Sequence, residues 1–276
     1  MLKFYQNLPQ EIDPVFFSVG SFSVYWYSMM YVVGFTVIIT LLYWRVYKKE
    51  TEILWGDILD FLLDSFLAVI IGGRIGYVLF YNLSYFLANP SEIIFPFSKD
   101  GAFTGIYGMS YHGGVLGFIL ATYLFCKKRK INFLKLTDFV LPAIPLGYFF
   151  GRVGNFLNGE LYGRVTTAKW GMYFTEGVLR HPSQLYEAFF EGIVLFLLLW
   201  LLRNKLAKKT GMLSGLYISS YGLVRLIIEF FREPDSQIGF VFGFLTMGQM
   251  LSLIMIVGGL FIINKNLNYS VKKYGK

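Results

Sequence analysis

The sequence predicts an all-α, polytopic membrane protein with seven transmembrane helices, built as a single integral membrane domain over residues 1–276. Three observations predict it. The chain is 55% hydrophobic and 20% aromatic but only 15% charged, and its mean hydropathy of +0.54 is too apolar for an ordinary soluble domain. Seven apolar runs, 22–44, 58–81, 106–126, 136–157, 183–203, 212–231 and 239–263, approach the roughly twenty helical residues that cross a hydrocarbon core. Backbone groups find no partner in lipid, so each run must be a helix. Third, the basic residues collect in alternate connections. Arg45, Lys48 and Lys49 follow the first run, Lys127 to Lys130 and Lys135 the third, Arg203, Lys205, Lys208 and Lys209 the fifth, and Lys265, Lys272, Lys273 and Lys276 the last. With seven spans these sixteen residues share one side, which the positive-inside rule makes the cytoplasm. The N-terminus is then outside and the C-terminus cytoplasmic.

The formal charge of +8 therefore encodes topology, and nucleic acid is excluded as a partner. Residues Met1 to Gly20 lack the charged start, apolar core and small-residue site of a cleaved signal peptide. One cysteine, Cys126, permits no intrachain disulfide and no cysteine metal cluster; no metal or cofactor is expected. Two outer loops carry the remaining structure. The loop at about 82–105, with Tyr85, Phe86, Phe95, Phe97, Pro90 and Pro96, suits an arm at headgroup level. The loop at about 158–182, with Trp170, Tyr173 and Phe174, suits a small cap.

Taken in order, the spans carry polar groups that are expensive in lipid. The first offers Tyr25-Trp26-Tyr27. The second contains Gly72-Gly73-Arg74-Ile75-Gly76; Arg74 lies near the outer interface, where it can snorkel or meet an anionic headgroup. The third opens with Tyr107-Gly108-Met109-Ser110-Tyr111-His112-Gly113-Gly114. Histidine readily exchanges a proton near neutral pH, and the flanking glycines leave room for a ligand beside the ring; the plainer alternative is a satisfied helix-end histidine.

The fourth span ends in Gly151-Arg152-Val153-Gly154-Asn155-Phe156-Leu157-Asn158-Gly159-Glu160-Leu161-Tyr162-Gly163. A charge in the bilayer interior costs at least about 2.5–3.5 kcal/mol, so such residues usually face a site or a pathway. Arg152 and Asn155 are three apart and share a helix face. A guanidinium fork matches a phosphate, and Glu160 can hold an arginine or act as a base. The fifth span opens with His181-Pro182-Ser183-Gln184-Leu185-Tyr186-Glu187, a good helix start. The sixth places Tyr221, Arg225, Glu229 and Arg232 on one stripe. Arg225 with Glu229 can be a self-neutralising pair, but two spans that each bring an arginine and a carboxylate favour an enclosed anion site.

These blocks resemble the prolipoprotein diacylglyceryl transferase family. The run Gly151 to Gly163 is similar to that family's signature, and Gly72-Gly73-Arg74, His112-Gly113-Gly114, His181 to Glu187 and Arg225 to Asp235 match further blocks, so the likeness covers most of the chain. The resemblance implies a seven-span bacterial inner-membrane enzyme with an outward N-terminus. It implies transfer of the diacylglyceryl group of phosphatidylglycerol to the lipobox cysteine thiol of a preprolipoprotein signal peptide, giving a thioether and glycerol phosphate without metal or nucleotide. Its implied catalytic residues are His112, Arg225, Tyr27, Glu160, Tyr221 and Glu229. Its implied phosphatidylglycerol-binding residues are Arg152, Asn155 and Gly154, together with Arg74, Arg232 and His181.

The chemistry suits these residues independently. A thiol with a pKa near about 8.5 needs a base or a positive field, which His112 can supply. The departing phosphate needs Arg152 and Arg225, with Glu160 and Glu229 to orient them and Tyr27 and Tyr221 to hydrogen-bond headgroup or thiol. Membrane lipid and peptide must enter sideways, which predicts gaps along the glycine-rich faces of spans two, three and four. The alternative from another class is an anionic-lipid transporter or flippase, although no repeat or paired broken helices support it. A histidine-dependent acyltransferase and a noncatalytic scaffold stand behind it; product mass separates them all.

Overall fold

The computed structural model describes residues 2–20, 22–94, 108–175, 177–233, 240–241 and 245–274. In chain order its elements are α1 (Leu2–Glu11), β1 (Val15–Val19), β2 (Phe22–Tyr25), α2 (Trp26–Tyr47), α3 (Trp55–Tyr81), α4 (Leu83–Ala88), α5 (Tyr111–Arg129), α6 (Phe133–Val140) and α7 (Ile144–Leu157). Then follow β3 (Met172–Thr175), β4 (Val178–Arg180), α8 (Ser183–Glu187), α9 (Leu195–Leu206), α10 (Met212–Ile228), β5 (Phe240–Val241), β6 (Leu245–Thr246) and α11 (Met247–Tyr274). They form two compact units, Met1–Thr51 with Thr137–Lys276, and Glu52–Leu136.

Four helices are long and apolar enough to cross a membrane among the described residues: Trp26–Tyr47, Phe133–Leu157, Ser183–Leu206 and Met247–Asn266. Each overlaps an apolar run of the sequence. Helices also occupy the other three runs, as α3 of 27 residues, α5 of 19 and α10 of 17. Two spans are composite. In the one that ends at Leu157, a 3₁₀ turn at Leu141–Ala143 joins α6 to α7, where Pro142 lacks a donor and Pro145 crowds the preceding turn. In the other, a π-helical stretch, Ala188–Val194, joins α8 to α9.

The all-α expectation needs correction, because three antiparallel strand pairs are present among the described residues: β1–β2, β3–β4 and β5–β6. The segment Val15–Tyr25 is rich in Val, Phe and Tyr, which fit a pleated strand, and Gly20 at φ +62° supplies the turn. Residues 22–25 therefore pair with β1, and α2 starts at Trp26, four residues later than the hydropathy places it. β3–β4 forms the body of the expected 158–182 cap. Helix α1 lies on this cap: Tyr5 Oη donates to the Trp170 carbonyl at 3.0 Å and Gln6 Nε2 to the Lys169 carbonyl at 3.1 Å.

Glycines set the helix spacing within each unit. In the first, a Cβ on Gly34 of α2 would lie 2.8 Å from the Gly147 carbonyl oxygen of α7. In the second, a Cβ on Gly72 of α3 would lie 2.5 Å, and one on Gly76 2.7 Å, from the Gly113 backbone of α5. Of these, Gly72, Gly76, Gly113 and Gly147, on faces read from sequence as the sides of lipid gaps, bring backbones together as small residues do in membrane helix pairs.

The expected 82–105 arm begins as α4 and a 3₁₀ turn at Pro90–Ile93; Phe95, Pro96, Phe97 and Tyr107 lie outside the described residues. Some of the basic residues between the apolar runs are tied inward. Arg45 is buried, ion-paired to Glu50 at 2.7 Å and bonded to the Phe139 carbonyl, and Arg203 reaches the same Glu50 at 3.2 Å.

Candidate active site

The centre of the first unit is a carboxylate that sequence reading treats only as part of a helix start. Glu187, at the end of α8, has 0% of its surface exposed and meets three arginines. Arg152 Nε of α7 lies 2.9 Å away, Arg225 Nη1 of α10 3.3 Å and Arg232 Nη1 3.0 Å. One turn further on, Glu191 in the π-helical stretch lies 3.8 Å from Arg225 Nη1. The Tyr148 hydroxyl of α7 sits 2.6 Å from Glu191 Oε2 and 3.2 Å from Glu187 Oε2. Arg225 Nη2 closes a 2.6 Å pair with Glu229, four residues along the same helix. Three guanidiniums thus face Glu187, Glu191 and Glu229, so the cluster is charge-balanced, as buried ions must be to avoid the desolvation cost of an unpaired one.

A second chain of bonds leads from this centre to the C-terminal end of α7. Arg152 Nη1 donates to Asn155 Oδ1 at 3.1 Å, and Asn155 Nδ2 donates to Glu160 Oε1 at 3.1 Å. Gln184, fully buried, donates from Nε2 to the Glu160 carbonyl at 2.6 Å. Gly154 lets α2 approach: a Cβ there would lie 3.2 Å from Tyr27 Cα. The Tyr27 amide bonds Asn158 Oδ1 at 3.3 Å, and its hydroxyl donates to Tyr31 at 3.0 Å. The Arg152 guanidinium also lies 4.7 Å from the Tyr148 ring centroid, a favourable cation–π distance. The Arg152 side chain keeps 18% of its surface, so the guanidinium is not sealed from an approaching anion.

The structure brings together Tyr27, Arg152, Gly154, Asn155, Glu160, Tyr221, Arg225, Glu229 and Arg232 within this one unit; the Tyr221 ring stands edge-on to Tyr148 at 6.2 Å. His181 sits just before α8 and works as a strut. Its amide bonds the Arg164 carbonyl at 3.0 Å, its carbonyl accepts from Gly163 at 2.8 Å, and its Nδ1 shares a 3.1 Å bond with the Tyr186 hydroxyl. Burial holds its imidazole below the ordinary histidine value. Gly163 has no room for a side chain, since a Cβ would run into the Phe231 carbonyl.

Arg74 and His112 belong to the second unit. Arg74 gives Nε to the Ile93 carbonyl at 2.9 Å, Nη2 to Glu92 at 2.6 Å and Nη1 to Gly108 at 3.2 Å, and it packs on Phe86 at 4.8 Å. It fastens the arm to α3. His112 is exposed on the first turn of α5, where Ser110 caps the helix by accepting from the Gly113 amide at 3.2 Å. Sequence reasoning missed Tyr148, Gln184 and Glu191 and undervalued Glu187. Two carboxylates four apart in an apolar run were the available signal, because intramembrane acids seldom lack a partner or a task. Among the described residues no group of three or more His, Cys, Asp or Glu could hold a metal ion.

Fold and site together define a polytopic membrane protein with a buried, charge-balanced arginine centre. A protein of Chlorobaculum tepidum named phosphatidylglycerol–prolipoprotein diacylglyceryl transferase is 49% identical over 268 residues, 94% of this chain and 91% of its own. Proteins of the same name from Rickettsia bellii and Rickettsia rickettsii are 46% and 47% identical, covering 95% and 92% of this chain and 98% and 96% of theirs. Residues 14–264 match the sequence model of the prolipoprotein diacylglyceryl transferase family, and the chain belongs to that family.

Proposed function

We propose that this chain transfers the diacylglyceryl group of phosphatidylglycerol to a prolipoprotein, the first step of lipoprotein maturation, with the lipobox cysteine thiol of the signal peptide as acceptor. The sulfur attacks the terminal glycerol carbon of the diacylglyceryl unit. A C–S bond forms, the C–O bond to phosphate breaks, the thiol proton passes to a base and glycerol phosphate leaves. The observation that carries this reading is the Arg152–Glu187–Arg225 arrangement, which fixes two guanidiniums in a water-poor setting and leaves part of each side chain exposed.

Fixed cations aimed at developing negative charge lower a barrier because nothing need reorganise as the charge appears. Arg152 and Arg225 take the departing phosphate. Asn155 and Gly154, with Arg232, Arg74 and His181, shape or brace the phospholipid side. Glu229 orients Arg225 by direct contact, while Glu160 acts on Arg152 through Asn155. Tyr27 and Tyr221 hydrogen-bond headgroup or thiol, and His112 receives the proton. The chain crosses the bacterial inner membrane seven times with its N-terminus outside, as the basic residues argue.

The test is stoichiometry. Vesicles of labelled phosphatidylglycerol with a lipobox peptide should release one glycerol phosphate per thioether formed. Lipid movement without either product would instead identify an anionic-lipid transporter, the reading that intramembrane arginines otherwise invite.

A further inference from the structure

The start of α11 bears directly on the carboxylate that holds Arg225. Thr246 and Gln249 cap the helix reciprocally. The Gln249 amide donates to Thr246 Oγ1 at 3.2 Å, and the Thr246 amide donates to Gln249 Oε1 at 3.0 Å, the pattern of a capping box. The Thr246 hydroxyl donates its one proton to Glu229 Oε1 at 2.9 Å. Between them, a Cβ on Gly248 would lie 2.6 Å from Glu229 Oε1, 2.7 Å from Cδ and 2.9 Å from Oε2. Thr246, Gln249 and Glu229 are all buried, so bulk water does not compete for these bonds.

Capping alone does not account for this arrangement. A cap uses the threonine oxygen as an acceptor and leaves its proton unassigned; here the proton goes to Glu229. Nor does helix formation want glycine at position 248, since any ordinary residue would favour the helix more. What a side chain there would meet is the carboxylate.

We propose that Thr246 and Gly248 are positioning residues of this enzyme. They seat the Glu229 carboxylate, which in turn sets the angle and height of the Arg225 guanidinium. The proposal rests on reading Arg225 as a group that stabilises the departing phosphate. It assigns to the junction of β6 with α11 a part in turnover and none in substrate affinity.

The test uses full-length enzyme in phosphatidylglycerol vesicles with a lipobox peptide, reading kcat, KM and the thermal midpoint. Losing one hydrogen bond to a charged group corresponds to about tenfold or more in rate. Thr246→Val and Gly248→Ala should each lose that much in kcat, with KM for phosphatidylglycerol changed by no more than about twofold, the mark of an interaction made in the transition state. Thr246→Ser, which restores the hydroxyl, should recover most of the loss. Gln249→Ala weakens the cap without touching Glu229, so it should lower the thermal midpoint and largely spare kcat. In a Glu229→Gln background, Thr246→Val should cost nothing further, because coupled residues are non-additive.

Wild-type kcat in Thr246→Val, an equal kcat loss in Gln249→Ala, or simple additivity with Glu229→Gln would overturn the proposal. Should Gly248→Ala fail to fold, the Thr246→Val and Thr246→Ser pair decides. Loss in Glu229→Gln with Thr246→Val and Gly248→Ala at wild-type turnover would sink this proposal alone. Full turnover in Glu229→Gln would bring down the reading beneath it as well.

Discussion

Glu187 neutralises Arg152, Arg225 and Arg232 from a position with no exposed surface. Removing one charge from such a cluster leaves uncompensated cations away from water, at a cost of about 3–5 kcal/mol. Glu187→Gln should therefore lower the thermal midpoint sharply and reduce turnover by about a hundredfold or more as both guanidiniums lose their anchor; differential scanning fluorimetry and the vesicle assay check the two effects. His181 yields a pH signature of opposite origin. Its folded-state pKa is depressed by burial, while an unfolded histidine titrates near about 6.5. Below that value the unfolded chain binds more protons, so this residue's contribution is complete above it and is lost as pH falls through the lowered folded value. The thermal midpoint of His181→Gln should fall less than that of the wild type between pH 7.5 and 5.5. At this scale the sequence announced Arg152, Asn155, Arg225, Glu229 and Arg232, since charges and amides in apolar runs demand a reason. It concealed Tyr148, Gln184 and Glu191, whose tasks exist only once α7 and the fifth span are side by side.

The elements show why hydropathy located helices better than their ends. Apolar runs give length and depth, but Phe22–Tyr25 is as apolar as a helix start and pairs instead with β1. The strand-forming run and Gly20 were the local signals of that hairpin. The π-helical stretch Ala188–Val194 left no comparable mark; π turns recur at functional sites, and this one carries Glu191. Glycines in spans two and three suggested openings for lipid, whereas Gly72 and Gly113 are closed against each other's backbones. Filling such a contact forces backbone displacement that typically costs about 1–3 kcal/mol or more. Gly113→Leu should therefore lower the melting temperature in detergent by several degrees, while Gly56→Ala, with open space around it, should leave the melting temperature nearly unchanged.

For the whole molecule, the distribution of Lys and Arg is the feature most legible in sequence, and it fixes the proposed topology. With Cys126 replaced by alanine, a Lys208→Cys protein should react with a membrane-impermeant maleimide only after the cytoplasmic side is opened, and a Lys169→Cys protein should react in intact spheroplasts. The division into two units was not legible, because the packing within each follows from which glycine faces meet and not from how many residues are apolar. In the proposed mechanism, buried carboxylates hold two arginines from different helices to receive a departing phosphate. The most direct measurement is the mass of a lipobox peptide after incubation with phosphatidylglycerol and wild-type protein, beside Arg152→Ala and Arg225→Ala. A diacylglyceryl mass gain on the peptide cysteine is expected with wild type, and its loss in both variants. A full gain with either variant would contradict the mechanism.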